Sequence, residues 1–476
     1  MSNEKSLFIF RRDLRLEDNT GLISALNHGG RVIPCFILDK RLLESTPSKL
    51  KNNNAIQFML ESLKDLGWQL KQKNARLHLF FGKVHEIIEE LVTKEEIESV
   101  HFNNDYTIFS KKRDDDLCNI CEKRKMKCFR YSDSLLINDP RSIVKPSDEK
   151  PYTIFTYFFN KATEVPILKP QSNIYNNYYS RNTTPAEIED RKKEDVYDQI
   201  LETYNPRIYS RGGRSQCLKI LKNIKKNQNY SHNKDYPAKD ATTGLSAHNK
   251  LGTCSIREIY HTIRENLGNN STLLRQFYWR DYFTYIAYHF PHVFKQPFQH
   301  KFRRMVWESD PEKFRMWCNG KTGFPIVDAG MRQLNITGFM HNRVRLIVAS
   351  FLTKDLHLDW KLGERYFAER LIDYDPCVNN GNWQWTASMG CDAQPYLRIF
   401  NPWLQQKKFD PQCIYIKRFV PELMHIPPKS IHELYKYNRQ VEQELNYPPP
   451  IIDHESERKI SMSLYAVNNS TYWNKP

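Results

Sequence analysis

Between Leu371 and Trp385 the chain reads LIDYDPCVNNGNWQW, and from Thr386 to Pro402 it continues as TASMGCDAQPYLRIFNP. Two carboxylates, Asp373 and Asp375, come first. Asn379, Asn380 and Asn382 follow around Gly381, and Gln384 stands between Trp383 and Trp385. Ordinary buried segments repeat aliphatic residues at helix or strand period, whereas this one crowds carboxylate, amide and indole groups together. Such a set suits a planar polar ligand, gripped by hydrogen bonds at its edge and by stacking on its face. Pro376 and the Asn-Gly run predict an irregular, turning backbone, since proline disfavours a helix interior and Asn-Gly favours turns. A turn with packing tryptophans between two helices is the plainer reading of the same letters.

Three other stations carry chemistry that could meet it. Tyr230 is followed by Asp240-Ala-Thr-Thr-Gly-Leu-Ser-Ala-His248, where Thr242, Thr243 and Ser246 offer hydroxyls just before a helix. That is a place for phosphate oxygens, or simply a capping turn. Arg275-Gln-Phe-Tyr-Trp-Arg-Asp281 predicts an aromatic and basic helix on which Gln276 and Arg280 share a face beside Trp279. Stacking, amide hydrogen bonds and a phosphate contact would suit a nucleobase, and an interface helix would show the same mixture. Thr337 to Leu352 predicts one helix with an apolar stripe at Val344, Ile347, Val348, Phe351 and Leu352. Asn342, Arg345, Leu346 and Ala349 form a second stripe, and a buried Arg345 needs a carboxylate, for which Asp373 is the natural partner.

Two architectures are needed to position these stations. Short β-rich runs at 6–10, 31–38, 77–81 and 99–102 alternate with amphipathic segments around Ile56, Met59, Leu60 and Leu63 and over 84–92. The alternation predicts an α/β domain over residues 1–135, a doubly wound, Rossmann-like parallel sheet. It contains neither GxGxxG nor GxxxxGK[ST], so no nucleotide phosphate is expected on its first strand-to-helix turn. That turn instead reads Arg11-Arg12-Asp13-Leu14-Arg15 and then Asp18-Asn19, a charged corner suited to face another domain or an anion. Residues 136–205, rich in Asn, Tyr, Ser and Pro from Lys169 to Thr184, predict a long surface linker. From 206 to 476 helical periodicity dominates, which predicts an all-α domain.

Composition narrows the partner. A chain of 476 residues with 40% hydrophobic content can bury a large core. Its 71 Lys and Arg against 55 Asp and Glu leave a charge of +16, and 26 Tyr, 26 Phe and 9 Trp supply stacking surfaces. Nucleic acid is the polyanion that fits both. No apolar amino-terminal segment resembles a signal peptide or a membrane span, and the ten cysteines are scattered. A reducing, cytoplasmic setting with no membrane partner is therefore expected. Cys118, Cys121 and Cys128 begin as CxxC but lack the second pair or close histidine of a zinc site, and no metal is expected.

Together the stations resemble one family, the flavin-dependent photolyases and cryptochromes. The likeness runs from Phe8-Ile-Phe-Arg-Arg-Asp-Leu-Arg15 to Leu445-Asn-Tyr-Pro-Pro-Pro450, and is densest from Lys321-Thr-Gly-Phe-Pro-Ile-Val-Asp-Ala329 to Asn401-Pro402. Met340-His-Asn-Arg343, Asn380-Gly-Asn-Trp-Gln-Trp385 and Gly390-Cys-Asp-Ala-Gln-Pro395 are most similar to class I cyclobutane pyrimidine dimer (deoxyribodipyrimidine) photolyases. The resemblance implies an amino-terminal α/β domain, a linker and a helical FAD domain, in a monomer that acts on damaged DNA. It implies light-driven splitting of pyrimidine dimers, by electron transfer from excited reduced FAD to a lesion flipped out of the duplex. An antenna, either methenyltetrahydrofolate or a deazaflavin, would fit the α/β domain.

The same resemblance assigns roles. Tyr230, Thr242, Thr243, Leu245 and Ser246 match positions that hold the FAD phosphates and ribityl chain. Asn342, Arg345, Asp373, Asp375 and Asn379 match those around the isoalloxazine, with Asn379 facing its N5. Trp279 and Trp385 match indoles that line the lesion cavity. Lys234, Gln276, Arg280, Asn342, Arg343 and Leu346 fall on the DNA side. Trp383, Trp360 and Trp307 match an electron-transfer chain from flavin to surface. Some positions depart from the pattern. Gln276 stands where class I dimer enzymes usually have Glu and is more typical of six-four photolyases, yet Asn342 and Leu346 occupy the places of the histidine pair that six-four enzymes use. Gly244 replaces a frequent Arg, Asn249 a Leu or Phe, and Lys234 a common Arg. A blue-light photoreceptor of the cryptochrome type is the rival from another class. The long carboxy-terminal extension common among such receptors is not expected, because the likeness ends about two dozen residues before Pro476. A dark FAD oxidoreductase is weaker still, for no acid, base or cysteine pair accompanies the flavin matches.

Overall fold

The computed structural model describes residues 4–39, 51–181, 183, 187–188, 190–392, 397–436 and 446–473. Ala393, Gln394, Pro395 and Leu445, which carry part of the family resemblance, lie outside them, as do Asn182 and Thr184 of the Asn-rich run. Five parallel strands, β1 (Lys5–Phe10), β2 (Arg31–Leu38), β3 (His78–Phe81), β4 (Ile97–Asn103) and β5 (Lys127–Tyr131), pair in the order β3-β2-β1-β4-β5. Helices α1 (Thr20–Asn27), α2 (Asn53–Gln72), α3 (Val84–Glu95) and α4 (Ile108–Lys123) alternate with them. Leu7, Ile9 and Phe102 are buried against one helical layer and Phe8, Phe10 and Val32 against the other, as expected for a sheet covered on both faces. The fifth strand was not expected. Its KCFRY sequence mixes charge with aromatics because it is an edge strand, paired only to β4, and basic residues guard such an edge.

In this domain Cys118 of α4 is bonded to Cys128 of β5, while the other eight cysteines are free and buried.

The strand order reverses between β1 and β4, the crevice where open α/β sheets usually bind ligands. Here the charged corner after β1 fills it and docks the helical domain. Leu14 N–H donates to the Leu251 carbonyl at 3.0 Å. Arg15, buried, donates to the Gly252 carbonyl and pairs with Asp133, which Arg257 also reaches at 2.8 Å. Arg257 further pairs with Asp18 at 2.9 Å.

Residues between the two domains hold more structure than a surface connection would. Helices form at Phe155–Thr163 and Asp190–Ile200, and Leu136, Ile143, Phe155 and Phe158 are buried among helical-domain residues. Asn177 donates to the carbonyls of Leu26 and Gly30, and Tyr178 bridges to Val32, so this run is tacked along the α/β domain by asparagine side chains.

The helical domain positions the stations on α5 (Ser246–Leu251), α6 (Leu274–His289), α7 (Pro325–Thr337), α8 (Asn342–Ser350), α9 (Trp360–Ala368), α10 (Pro376–Thr386) and α11 (His454–Trp473). Two expectations need correction. The single helix expected from Thr337 to Leu352 is broken. Gly338, at φ +67°, ends α7, and His341 caps a new helix by accepting from Arg343 N–H through Nδ1. After Ser350 the helix widens into a π turn over Phe351–Asp355. The expected irregular backbone around Pro376 is instead the helix α10. Proline occupies the first turn, where no amide hydrogen bond is lost, and Asp375 caps it by accepting from Cys377 and Val378 N–H at 3.0 and 3.2 Å. Gly381 makes no turn. A Cβ there would fall 2.1 Å from the Phe283 ring, so it lets α10 lie close on α6.

Candidate functional site

The stations converge on one cavity of about 430 Å³, within the range of a cofactor site. Tyr230, Thr242, Thr243, Leu245 and Ser246 line one part of it, and Asn342, Arg345, Asp373, Asp375 and Asn379 another. Gln276, Trp279, Arg280, Leu346, Trp383 and Trp385 complete the set. Lys234 and Arg343 stand off the wall. Both pair with Asp235, at 3.1 and 2.7 Å, and the Arg343 guanidinium lies 4.4 Å over the Phe409 ring.

Helix α8 presents its second stripe, Asn342, Arg345, Leu346 and Ala349, to the cavity while its apolar stripe faces the core. Arg345 donates to Asp373 at 2.8 Å and to the Met340 carbonyl at 2.8 Å, so the pair expected from sequence joins α8 to the segment before α10. Asp375 carries a second bond, to Arg12 of the α/β domain, whose other nitrogens reach Asp105 at 3.0 Å and the Lys250 carbonyl at 3.1 Å. Burial works to raise the Asp375 carboxyl, but Arg12, Lys250 and Arg280 hold it well below the usual carboxylate range. Burial in turn pushes the Lys250 ammonium down to about 8. Asn379 donates to the Glu364 carbonyl at 3.0 Å, which leaves its side-chain oxygen for a ligand.

On α6 one face of Trp279 is stacked on Phe155, with centroids 3.5 Å apart and planes at 7°. Gln276 is exposed at the mouth, with a contact of only 3.5 Å to the Thr272 carbonyl. Arg280, expected to hold a phosphate, already donates to the carbonyls of Ser134 and Asn249 at 2.7 and 3.2 Å, so part of its guanidinium is engaged between domains. Trp383 and Trp360 are buried and Trp307 is half-buried; of the three, Trp383 lines the cavity. A fourth indole, Trp317, also buried, lies edge-on to Trp383 at 6.3 Å. Lys250, Phe283, Tyr374 and Asn382 are lining residues that sequence reasoning missed. Tyr374 and Asn382 carried a signal, since each lies within the stretch from Leu371 to Trp385 already singled out.

The donor set fits a dinucleotide with a planar ring. Thr242, Thr243 and Ser246 bring hydroxyls for phosphates, Arg345, Asp373 and Asn379 bring edge partners for a heterocycle, and aromatic walls bring stacking faces.

A parallel α/β domain docked through its switch point onto a helical domain, around such a cavity, defines a two-domain flavoprotein. The chain belongs to the DNA photolyase family, and its cofactor is FAD: residues 6–173 match the DNA photolyase domain and residues 273–467 the FAD binding domain of DNA photolyase. It is 34% identical over 485 residues to the deoxyribodipyrimidine photo-lyase of Alkalihalophilus pseudofirmus, covering 98% of this chain and 99% of that one. Among solved structures it is similar to an archaeal photolyase from Sulfolobus tokodaii (38% identity, TM-score 0.85, 97% and 100% coverage), which holds two FAD molecules with the implication of a novel light-harvesting cofactor. It is similar also to a bacterial class III photolyase from Agrobacterium tumefaciens (31% identity, TM-score 0.88, 99% and 98% coverage).

Proposed function

We propose that the protein splits cyclobutane pyrimidine dimers in DNA under blue light. The observation that supports this best is that one cavity is lined both by the groups suited to FAD and by Gln276, Trp279 and Trp385 at its outer part, so that cofactor and lesion would share one enclosed space. Reduced FAD, when bound, would supply the photochemistry as a one-electron donor to the lesion. The protein's own part is binding and positioning. Thr242, Thr243 and Ser246 hold the phosphates, and the Arg345–Asp373 pair fixes the edge of the ring. Asn379 offers an amide oxygen at that edge and no acidic proton. Trp279 and Trp385 receive the extruded bases between aromatic faces, which a dimer reaches at low cost because it already stacks and pairs poorly. Phe283, Leu346 and Phe367 add apolar wall to the cavity.

Gln276 favours a second reading, a six-four photoproduct photolyase. Against it, Asn342 and Leu346 leave no histidine at those two places on the cavity wall to move a proton. Repair of duplexes carrying either lesion separates the two: the cyclobutane dimer is restored and the six-four product is not. Restoration of the six-four product alone would make Gln276 the informative residue and overturn the dimer reading.

A further inference from the structure

Behind Trp385 lies a feature that cofactor and lesion binding do not use. Lys354 sits in the π turn after α8 and is 1% exposed. A π turn inside a helix costs hydrogen-bond geometry and recurs at functional places. Here it turns Lys354 inward, so that Nζ donates to Ser388 Oγ at 2.9 Å and to the Arg398 carbonyl at 2.6 Å. Ser388 lies just past the end of α10, and Arg398 comes further along the chain. The Trp385 indole is tied to the backbone close to Ser388 in sequence, through Nε1–H to the Asp392 carbonyl at 3.1 Å. A small cavity of about 20 Å³, room for a single water, is lined by Lys354, Ser388, Arg398, Trp385 and Thr386 among others. Trp385 and Thr386 also line the large cavity, so the indole forms a partition between Lys354 and the ligand space.

The lysine is itself held from behind. Ser461 of α11 donates to the Lys354 carbonyl at 2.6 Å, and the neighbouring Asp355 pairs with His454 of the same helix. Burial pushes the Lys354 ammonium down to about 7, with Asp355 opposing that shift and Arg398 adding to it. A long cation brought into the core at this cost, to bind Ser388 and the Arg398 carbonyl, is more than packing requires.

We propose that Lys354 is a positioning residue for lesion binding: by binding Ser388 Oγ and the Arg398 carbonyl it fixes the backbone just after Trp385 and so holds that indole against the extruded bases. This rests on the proposed function, in which Trp385 meets the lesion. The test uses FAD-loaded protein and two duplexes, one undamaged and one with a single thymine cyclobutane dimer. Lys354→Met keeps most of the side chain's length and removes both hydrogen bonds. The expected result is a loss on the order of tenfold in affinity for the damaged duplex. Affinity for the undamaged duplex, which depends on phosphate contacts, stays within about twofold. FAD content and the flavin absorption spectrum stay unchanged. Equal losses on both duplexes, or no loss on either, overturn the proposal. If Lys354→Met does not retain FAD, Ser388→Ala decides, since it removes one acceptor and leaves the lysine in place. A selective loss of about threefold supports the clasp, and unaltered discrimination overturns it. Wild-type protein that does not distinguish the two duplexes overturns the proposed function instead, a separate outcome.

Discussion

Trp383 touches the cavity on one side and the core on the other. Its ring meets Phe367 edge-on at 5.0 Å, and a Cβ on Gly363 would fall 2.1 Å from it, so α9 is packed directly on the indole. Packing alone could explain a large aromatic there; only the indole's redox chemistry separates the two roles. Trp383→Phe keeps most of the volume and removes that chemistry. Photoreduction of oxidised FAD should slow by more than about tenfold, with repair by pre-reduced protein little changed. Undiminished photoreduction would reduce Trp383 to packing. Glu364 shows a different residue-scale effect. Burial raises its carboxyl to about 7 from 4.5, against a hydrogen bond from Asn380 at 2.9 Å. The folded state therefore holds a proton that the unfolded chain releases as pH rises through that window, and stability declines from about pH 4.5 to about pH 7. Glu364→Gln keeps the acceptor for Asn380 and cannot ionise. It should stabilise the protein by about 1 kcal/mol at pH 8, allowing for solvent access to a half-buried group, and do little at pH 4.5. Denaturant unfolding at the two pH values checks this; an equal effect at both would show that ionisation is not the cause.

At the scale of elements, the link between domains runs through single side chains. Arg12 leaves β1 and reaches the N-cap of α10 at Asp375 and the last turn of α5 at Lys250, two elements that line the cavity. Arg12→Met would leave the buried Asp375 carboxylate with Lys250 as its main remaining cation, and should cost about 3 kcal/mol of stability together with FAD retention. Adding Asp375→Asn removes the stranded charge, so the double variant should recover a coupling of about 1–3 kcal/mol relative to the sum of the singles. Urea unfolding of the four proteins measures it; additive losses would mean that the ion pair does not tie the domains. The sequence suggested that the charged corner after β1 would face another domain or an anion, and the structure shows the first. It did not reveal α10 as a helix. Pro376 signals a stop when read as interior and a start when read after a capping Asp375, and only the neighbouring Phe283 shows why Gly381 belongs inside it. The break at Gly338 is similar: the apolar stripe runs on in the letters while the backbone reverses at a positive φ. Arg345 with Asp373 was legible because a buried guanidinium has few acceptable partners, whereas Trp317 was not, since an indole at helical spacing looks like any core residue.

At the scale of the whole molecule, charge and cavity answer different questions. The cavity selects what enters it, through stacking and a few hydrogen bonds. In the proposed function the +16 charge would act before entry and regardless of sequence, by drawing in the phosphate backbone. Several cations near the site are already committed within the protein, Arg280 to carbonyls and Lys234 and Arg343 to Asp235, so net charge overstates what DNA can use. Each phosphate contact that displaces a counterion adds about 0.9 to the slope of log affinity against log salt. With about four such contacts, affinity for duplex DNA should fall on the order of a hundredfold between about 50 and 200 mM salt. Because the contacts are to phosphate, damaged and undamaged duplexes should show the same slope, their affinities differing by an offset that salt leaves alone. Titrations of both duplexes over that range measure slope and offset together. A flat dependence would deny the chain a DNA-binding surface, and an offset that vanished with salt would place the discrimination in charge rather than in the cavity formed by Trp279 and Trp385.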